Sequence, residues 1–275
     1  MNNTTYLEQI DQAVAYIKTK IQQNPTVGIV LGSGIGALAD EIEEAIAIPY
    51  KEIPHFPVST VAGHKGNLFF GRLGGQNVMA MQGRFHYYEG YTMREVTFPI
   101  RVMARLGVKT LFVSNAAGAV NPSYRVGDLM IITDHINTMP NPLIGPNMEE
   151  FGVRFPDMTM PYSSRLRRRA QSLADQRGLM LQQGVYVGTT GPSFETRSEY
   201  RYFATIGADA VGMSTVPEVI VARHSGIEVF GMSIITNQSN SLGEDCLNDG
   251  NDVIQAAQRA TLTLTSLFKD LIASL

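Results

Sequence analysis

The sequence predicts an α/β protein with a central mixed, mainly parallel twisted sheet flanked by helices, in a single domain spanning residues 1–275. Three observations carry this. Short apolar runs alternate with helical patterns along the chain, the order that covers strands with helices on both faces. Glycine, 26 residues in all, punctuates the ends of those runs, where sharp turns must follow strands. The chain is 44% hydrophobic over 275 residues, enough for one large core.

In order, Thr5-Tyr6-Leu7-Glu8 is a capping-box pattern, with Leu7, Ile10, Val14, Ile17 and Ile21 at helical spacing, so a first helix ends near Asn24-Pro25. Residues 27–31 read as a buried strand leading into a glycine turn, and residues 37–45 as helix. Strands follow at 68–70, 78–81, 110–113, 129–132, 185–187, 209–211 and 229–235. Helical patterns fall at 97–106, 164–177, 198–206 and 216–224. A last helix runs over about 252–275, with Val253, Ala257, Ala260, Leu264, Leu267 and Leu271 on one stripe. The polar, Pro-rich stretch 139–161 reads as a long surface loop, a kind that is often functional.

Several classes drop out. A net charge of −3 provides no global field for nucleic acid or an anionic membrane. The run Arg165-Leu166-Arg167-Arg168-Arg169 reads as the solvated face of a helix. One cysteine, Cys246, permits no internal disulfide. The start, Met1-Asn2-Asn3-Thr4-Thr5, lacks a signal-peptide pattern, and no apolar run reaches a membrane span. The expectation is a cytoplasmic protein without membrane or nucleic-acid partners.

Chemistry concentrates in Gln82-Gly83-Arg84-Phe85-His86-Tyr87-Tyr88-Glu89-Gly90-Tyr91, which sets a permanent cation, an imidazole and an aromatic within five positions. An Arg fork suits phosphate oxygens, and a nearby His can donate to the same anion. Gly32-Ser33-Gly34 follows a strand and precedes an expected helix, whose free N–H groups would favour an anion. Gly32-x-Gly34-x-x-Ala37 with Glu52 also approaches a dinucleotide fingerprint. Alone, the turn serves phosphate, dinucleotide or plain chain reversal equally well.

With Ser114-Asn115-Ala116-Ala117-Gly118 and Gly212-Met213-Ser214-Thr215-Val216-Pro217-Glu218, these motifs resemble, in the same order, the purine nucleoside phosphorylases of the trimeric, 6-oxopurine class. The resemblance implies that Ser33, Arg84, His86, the Ala116 N–H and Ser214 hold phosphate, with His64 near its entrance. Tyr88 and Met213 match residues at the sugar. Gly191-Pro192-Ser193-Phe194-Glu195-Thr196 resembles the purine loop, Phe194 packing on the base and Glu195 accepting from N1–H. Ile234-Ile235-Thr236-Asn237 resembles the strand end whose asparagine bonds N7 and O6. An amide there suits a 6-oxo group, a carboxylate a 6-amino group.

The implied reaction is reversible phosphorolysis of inosine, guanosine and xanthosine type (deoxy)nucleosides, with His86, Glu195 and Asn237 as the catalytic set. Phosphate is the co-substrate, and neither cofactor nor metal is implied. Phe151 resembles an aromatic lent to the neighbouring subunit, which implies a homotrimer with sites at its interfaces. One departure stands out: family members carry a histidine near the start of the last helix for the sugar 5′-hydroxyl. Here the stretch is Asp249-Gly250-Asn251-Asp252-Val253, with Asn251 the available substitute.

Rival readings differ in one feature each. A methylthioadenosine phosphorylase shares the anion motifs but is disfavoured by Asn237. A non-catalytic purine-binding protein needs no complete phosphate shell. A nucleoside hydrolase needs a dense Asp cluster near the N-terminus, where Asp11 and Asp40 stand isolated, and a dehydrogenase has no use for Arg84 and His86.

Overall fold

The computed structural model describes residues 3–32, 35–60, 65–238 and 250–275. Among them nine strands share one sheet: β1 (Val27–Leu31), β2 (Glu43–Pro49), β3 (Asn67–Leu73), β4 (Gln76–Gln82), β5 (Thr110–Ala119), β6 (Leu129–Asn137), β7 (Gln182–Gly188), β8 (Ala210–Gly212) and β9 (Glu228–Gln238). The helices are α1 (Asn3–Lys18), α2 (Met93–Val96), α3 (Phe98–Leu106), α4 (Ser164–Gln176), α5 (Arg197–Thr205), α6 (Val216–His224) and α7 (Gly250–Ala273). None is long and apolar enough to cross a membrane.

The strand order is β2-β3-β4-β1-β5-β8-β7-β6-β9, and β9 returns to pair with β5. Pairs β1–β4, β1–β5, β5–β9, β6–β7 and β7–β8 are parallel; β2–β3, β3–β4, β5–β8 and β6–β9 are antiparallel. The sheet is mixed and flanked by helices, as expected. Antiparallel ladders are nearly as numerous as parallel ones, and half of the sheet curls into a closed ring instead of remaining open.

Every residue of β1 is buried because both faces are covered. Val30 packs in the cluster that contains Ile10 and Ile17 of α1, Met103 of α3 and Val219 of α6. Ile29 and Leu31 face the opposite cluster, built with Leu166 of α4 and Leu264, Leu267 and Phe268 of α7. Each such fully buried aliphatic side chain contributes about 1.5–3 kcal/mol. A third, smaller cluster joins Tyr200 and Phe203 of α5 to Val120, Val187 and Val211.

Residues 37–45 depart from expectation. The chain takes a short 3-10 turn, Gly36–Glu41, then enters β2 as an exposed edge strand against β3. Ladder formation with β3 overrides the helical propensity of the Ala, Leu and Glu residues here. The helix that would have supplied anion-binding N–H groups behind Gly32 is therefore absent from the described chain, as is the one a dinucleotide fold needs.

Because β1, β4, β5 and β9 run parallel, their carboxyl ends share one rim. β8 runs opposite to β5, with Val211 beside Gly118, so residues 213–214 travel back along β5 towards Ser114. Sequence segments far apart meet there.

Candidate active site

One cavity of about 310 Å³ opens at this rim, lined at one end by Arg84, His86, Ala116 and Ser214. Arg84 leaves the end of β4 and is 2% exposed. Its Nη1 donates to the Ser114 carbonyl (2.8 Å) and the Ser214 hydroxyl (3.0 Å), and its Nε donates to Glu218 Oε1 (3.1 Å). Glu218 Oε2 lies 3.1 Å from Nη2, completing a two-point ion pair behind the guanidinium. Ser214 is presented by a tight turn centred on Thr215, whose φ of 69° and ψ of −54° are accompanied by a 2.7 Å bond from Val216 N to Ser214 O. That strained conformation is held by Asn115, whose Nδ2 donates to Thr215 Oγ1 (2.8 Å).

His86 is braced in the same manner. Its Nδ1 and its backbone N both lie on Glu89 Oε1, at 3.0 and 2.8 Å, while Glu89 Oε2 accepts from the Thr60 N–H and hydroxyl. Burial lowers the His86 pKa and the Arg84 charge adds to this, with the Glu89 hydrogen bond opposing. For Glu89, burial opposes ionisation, but hydrogen bonds from His86 and Thr60 prevail and bring its pKa down to about 2. Each cationic or potentially cationic group thus has a carboxylate behind it. The His86 ring stacks on Tyr88 at 4.6 Å.

The other end of the cavity carries Phe194, Glu195 and Asn237. Asn237 stands opposite Gly118 because Thr236 is an extra residue in the β5–β9 ladder. Without this bulge the alternation would put Asn237 beside Ala119, aimed the other way. Burial raises the Glu195 pKa, against hydrogen bonds from Thr189 and Tyr200. Tyr88 and Met213 line the same cavity, both beside Gly191. Gly191 (φ 59°) lets the purine-loop segment approach, since a Cβ there would fall 2.3 Å from Met213 Sδ. The cavity therefore offers donors for a tetrahedral anion, an apolar waist, and an amide with a carboxylate for the polar edge of a flat heterocycle.

The description "Phosphorylase superfamily" fits a family model that matches residues 26–273. Purine nucleoside phosphorylase 1 of Geobacillus stearothermophilus is 52% identical over 276 residues, covering 100% of this chain and 99% of that protein. A Schistosoma purine nucleoside phosphorylase solved with hypoxanthine superposes with a TM-score of 0.93 at 43% identity, over 98% of both chains. The Schistosoma mansoni enzyme solved with inosine gives 0.93 at 42% identity, over 98% of this chain and 97% of that one. The chain belongs to the phosphorylase superfamily and, within it, to the purine nucleoside phosphorylases.

Of the residues that the resemblance to purine nucleoside phosphorylases singles out, Arg84, His86, Tyr88, Ala116, Phe194, Glu195, Met213, Ser214 and Asn237 all line this one cavity. Ser33 and His64 lie outside the described residues. Phe151 does not reach this cavity: it packs on its own chain, beneath the guanidinium groups of Arg101 (4.6 Å) and Arg105 (5.6 Å). The exposed aromatic of that loop is Phe155, 85% accessible. Asn251 is exposed and off the cavity, where α7 presents Gly250, Val253 and Ile254. Sequence reasoning left Glu89, Glu218 and Tyr200 unassigned. For Glu89 the available signal was a carboxylate three residues beyond a histidine, and for Glu218 an acid in the first turn of a helix. Among the described residues no group of three or more His, Cys, Asp or Glu is poised to hold a metal ion.

Proposed function

We propose that this chain, acting as one nucleoside phosphorylase domain, catalyses reversible phosphorolysis of 6-oxopurine ribo- and deoxyribonucleosides, with inorganic phosphate as co-substrate and no cofactor. The observation that carries the reading is the hydrogen bond between Arg84 and Ser214, 130 residues apart, in the cavity that also holds Glu195 and Asn237. Arg84, His86, Ser214 and the Ala116 N–H hold the phosphate, joined by Ser33 and His64 from the resemblance. Tyr88 and Met213 contact the sugar.

A phosphate oxygen attacks the anomeric carbon as the bond to purine N9 breaks, and the electron pair leaves with the purine. Positive charge builds on the sugar and is met by the phosphate dianion; negative charge builds on the purine and is met by Asn237 at N7, with Glu195 holding N1–H. Phe194 packs against the base. Asn237 favours inosine, guanosine and xanthosine over adenosine. The working unit is a cytoplasmic homotrimer, in which Phe155, in place of Phe151, is the aromatic lent to a neighbour.

The test is a panel of inosine, guanosine, xanthosine, adenosine and methylthioadenosine assayed with and without phosphate. Phosphate-dependent release of hypoxanthine from inosine is the expected result. Release without phosphate, or binding without turnover, would overturn the reading.

A further inference from the structure

We infer that Tyr200 is a positioning residue: its hydroxyl joins the amide of Asn237 to the carboxylate of Glu195 and thereby holds that amide in the orientation that reads a 6-oxopurine. The inference rests on the assignment of Asn237 and Glu195 to the purine.

Tyr200 is the fourth residue of α5, 5% exposed, its ring packed with Val120, Val187, Phe203 and Val211. Its Oη lies 3.2 Å from Asn237 Nδ2 and also hydrogen-bonds Glu195. The space exists because residue 118 is glycine: a Cβ there would fall 2.9 Å from the Tyr200 Oη and 3.0 Å from Asn237 Nδ2. Glu195 is held at a set distance from Tyr200 by the start of α5, where Thr196 and Glu199 cap each other through bonds of 2.7, 2.8 and 3.2 Å.

Counting protons gives the direction. An ionised carboxylate only accepts, so the single Tyr200 proton goes to Glu195. The phenol oxygen must then accept, and Asn237 meets it with an N–H. The Thr236 hydroxyl, with one proton, lies 3.2 Å from Asn237 Oδ1 and 3.3 Å from the Ala117 carbonyl, so it tolerates this orientation without dictating it. The Tyr200 contact selects the orientation that turns Nδ2, and not Oδ1, towards Tyr200 and the purine edge. A flipped amide would set Oδ1 against a phenol lone pair and offer the base an acceptor, as a 6-aminopurine prefers. Tyr200 therefore acts on specificity through Asn237 without touching substrate.

Tyr200→Phe removes the hydroxyl and keeps the ring in its apolar nest. The kcat/KM for inosine should fall roughly tenfold, the worth of one hydrogen bond, and the inosine-to-adenosine preference should narrow by a similar factor, with the phosphate KM unchanged. A further readout separates positioning from structure. The Tyr200 bond favours the Glu195 carboxylate, so its loss moves the acid limb of the inosine kcat/KM profile to higher pH. Facing Glu195 are Tyr200 and Glu199 on α5 and Thr189 beyond β7; His86, Arg84 and Tyr88 line the same cavity. Melting temperature reports the fold, and Tyr200→Met fills the same nest should the Phe variant unfold.

Asn237→Ala gives the decisive background. It should lower kcat by about 10²–10³, and adding Tyr200→Phe to it should cost nothing more. Independent, additive losses, or an unchanged preference and acid limb in Tyr200→Phe, would overturn the inference. Full activity in Asn237→Ala alone would instead overturn the purine assignment beneath it.

Discussion

Arg84 and Glu218 form a buried two-point ion pair, with Nε to Oε1 and Nη2 to Oε2 both at 3.1 Å and both side chains under 5% exposed. The pair joins β4's end to the first turn of α6, so it fixes the guanidinium plane against Ser214. Removing one partner leaves a buried charge uncompensated. Glu218→Ala should therefore destabilise the fold by about 3–5 kcal/mol, measured by denaturant titration. Saturating phosphate should recover more stability in the variant than in the parent, because the anion supplies the missing charge. A loss below about 1 kcal/mol, with no added response to phosphate, would contradict this account.

Glu89 does for His86 what Glu218 does for Arg84, but the imidazole titrates. Burial holds the free-site His86 below its ordinary pKa of 6.5, so it is neutral near pH 7. A dianion set against it favours the cation. Binding should thus take up protons. Sulfate does not titrate near neutrality and isolates the imidazole's contribution. Calorimetry of sulfate binding in buffers of different ionisation enthalpy should show proton uptake that His86→Gln abolishes. Heats independent of the buffer would rule the coupling out.

Much of this was legible in the sequence, and the failures share a cause. β1 and α6 coincide with the expected 27–31 and 216–224 because an apolar run or a Pro-marked helix start is local information. The residues that line the cavity were named only through the resemblance carried by whole motifs, since Arg84, His86, Ser214, Glu195 and Asn237 are each ambiguous alone. β2 was lost because only pairing with β3 makes it a strand. Ring closure through β5–β9 and the bulge at Thr236 are likewise properties of a ladder between distant segments. Phe151 and Phe155, four positions apart in one polar loop, look alike in the sequence, and only the fold lays Arg101 and Arg105 over the first. Tyr200 carried no motif, and only Gly118 across the sheet reveals why its hydroxyl sits where it does.

The loop carrying those two aromatics is tied down through a buried histidine. Arg101 Nη1 donates to His224 Nδ1 at 2.8 Å, so His224 holds its proton on Nε2, which faces Asn147 Oδ1 at 3.1 Å. Asn147 in turn donates to the Gly152 carbonyl at 3.0 Å. Burial, then the Arg101 charge, lowers the His224 pKa to about 4. Below the unfolded value of about 6.5 the unfolded chain binds a proton that the folded one refuses, so stability is full above that pH and falls steadily towards pH 4. Gln at this position can accept from Arg101 and donate to Asn147 without titrating. His224→Gln should therefore show a shallower fall in melting temperature between pH 7.5 and 4.5. Some slope should persist, since burial also lowers His86 and His135. An unchanged slope would remove His224 from the account.

Beyond that anchor, Phe155 stands 85% exposed beside Val153 at 67%, with Ile144 at 75% and Met160 at 53% in the same loop. Exposed apolar side chains gathered in one loop suit an interface between chains. Under the trimer proposed above, each subunit completes its neighbour's sugar pocket with Phe155. Phe155→Ala should then raise the nucleoside KM by about tenfold, as loss of one buried aromatic anchor does, and leave the phosphate KM alone. Complementation decides whose pocket it serves. Subunits with Phe155→Ala keep an intact Asn237, and subunits with Asn237→Ala keep an intact Phe155. Co-assembled and assayed at low inosine, the mixture should exceed the summed activity of the two separate variants, because some sites combine a sound Asn237 with a lent Phe155. If Phe155 serves its own chain, mixing restores nothing.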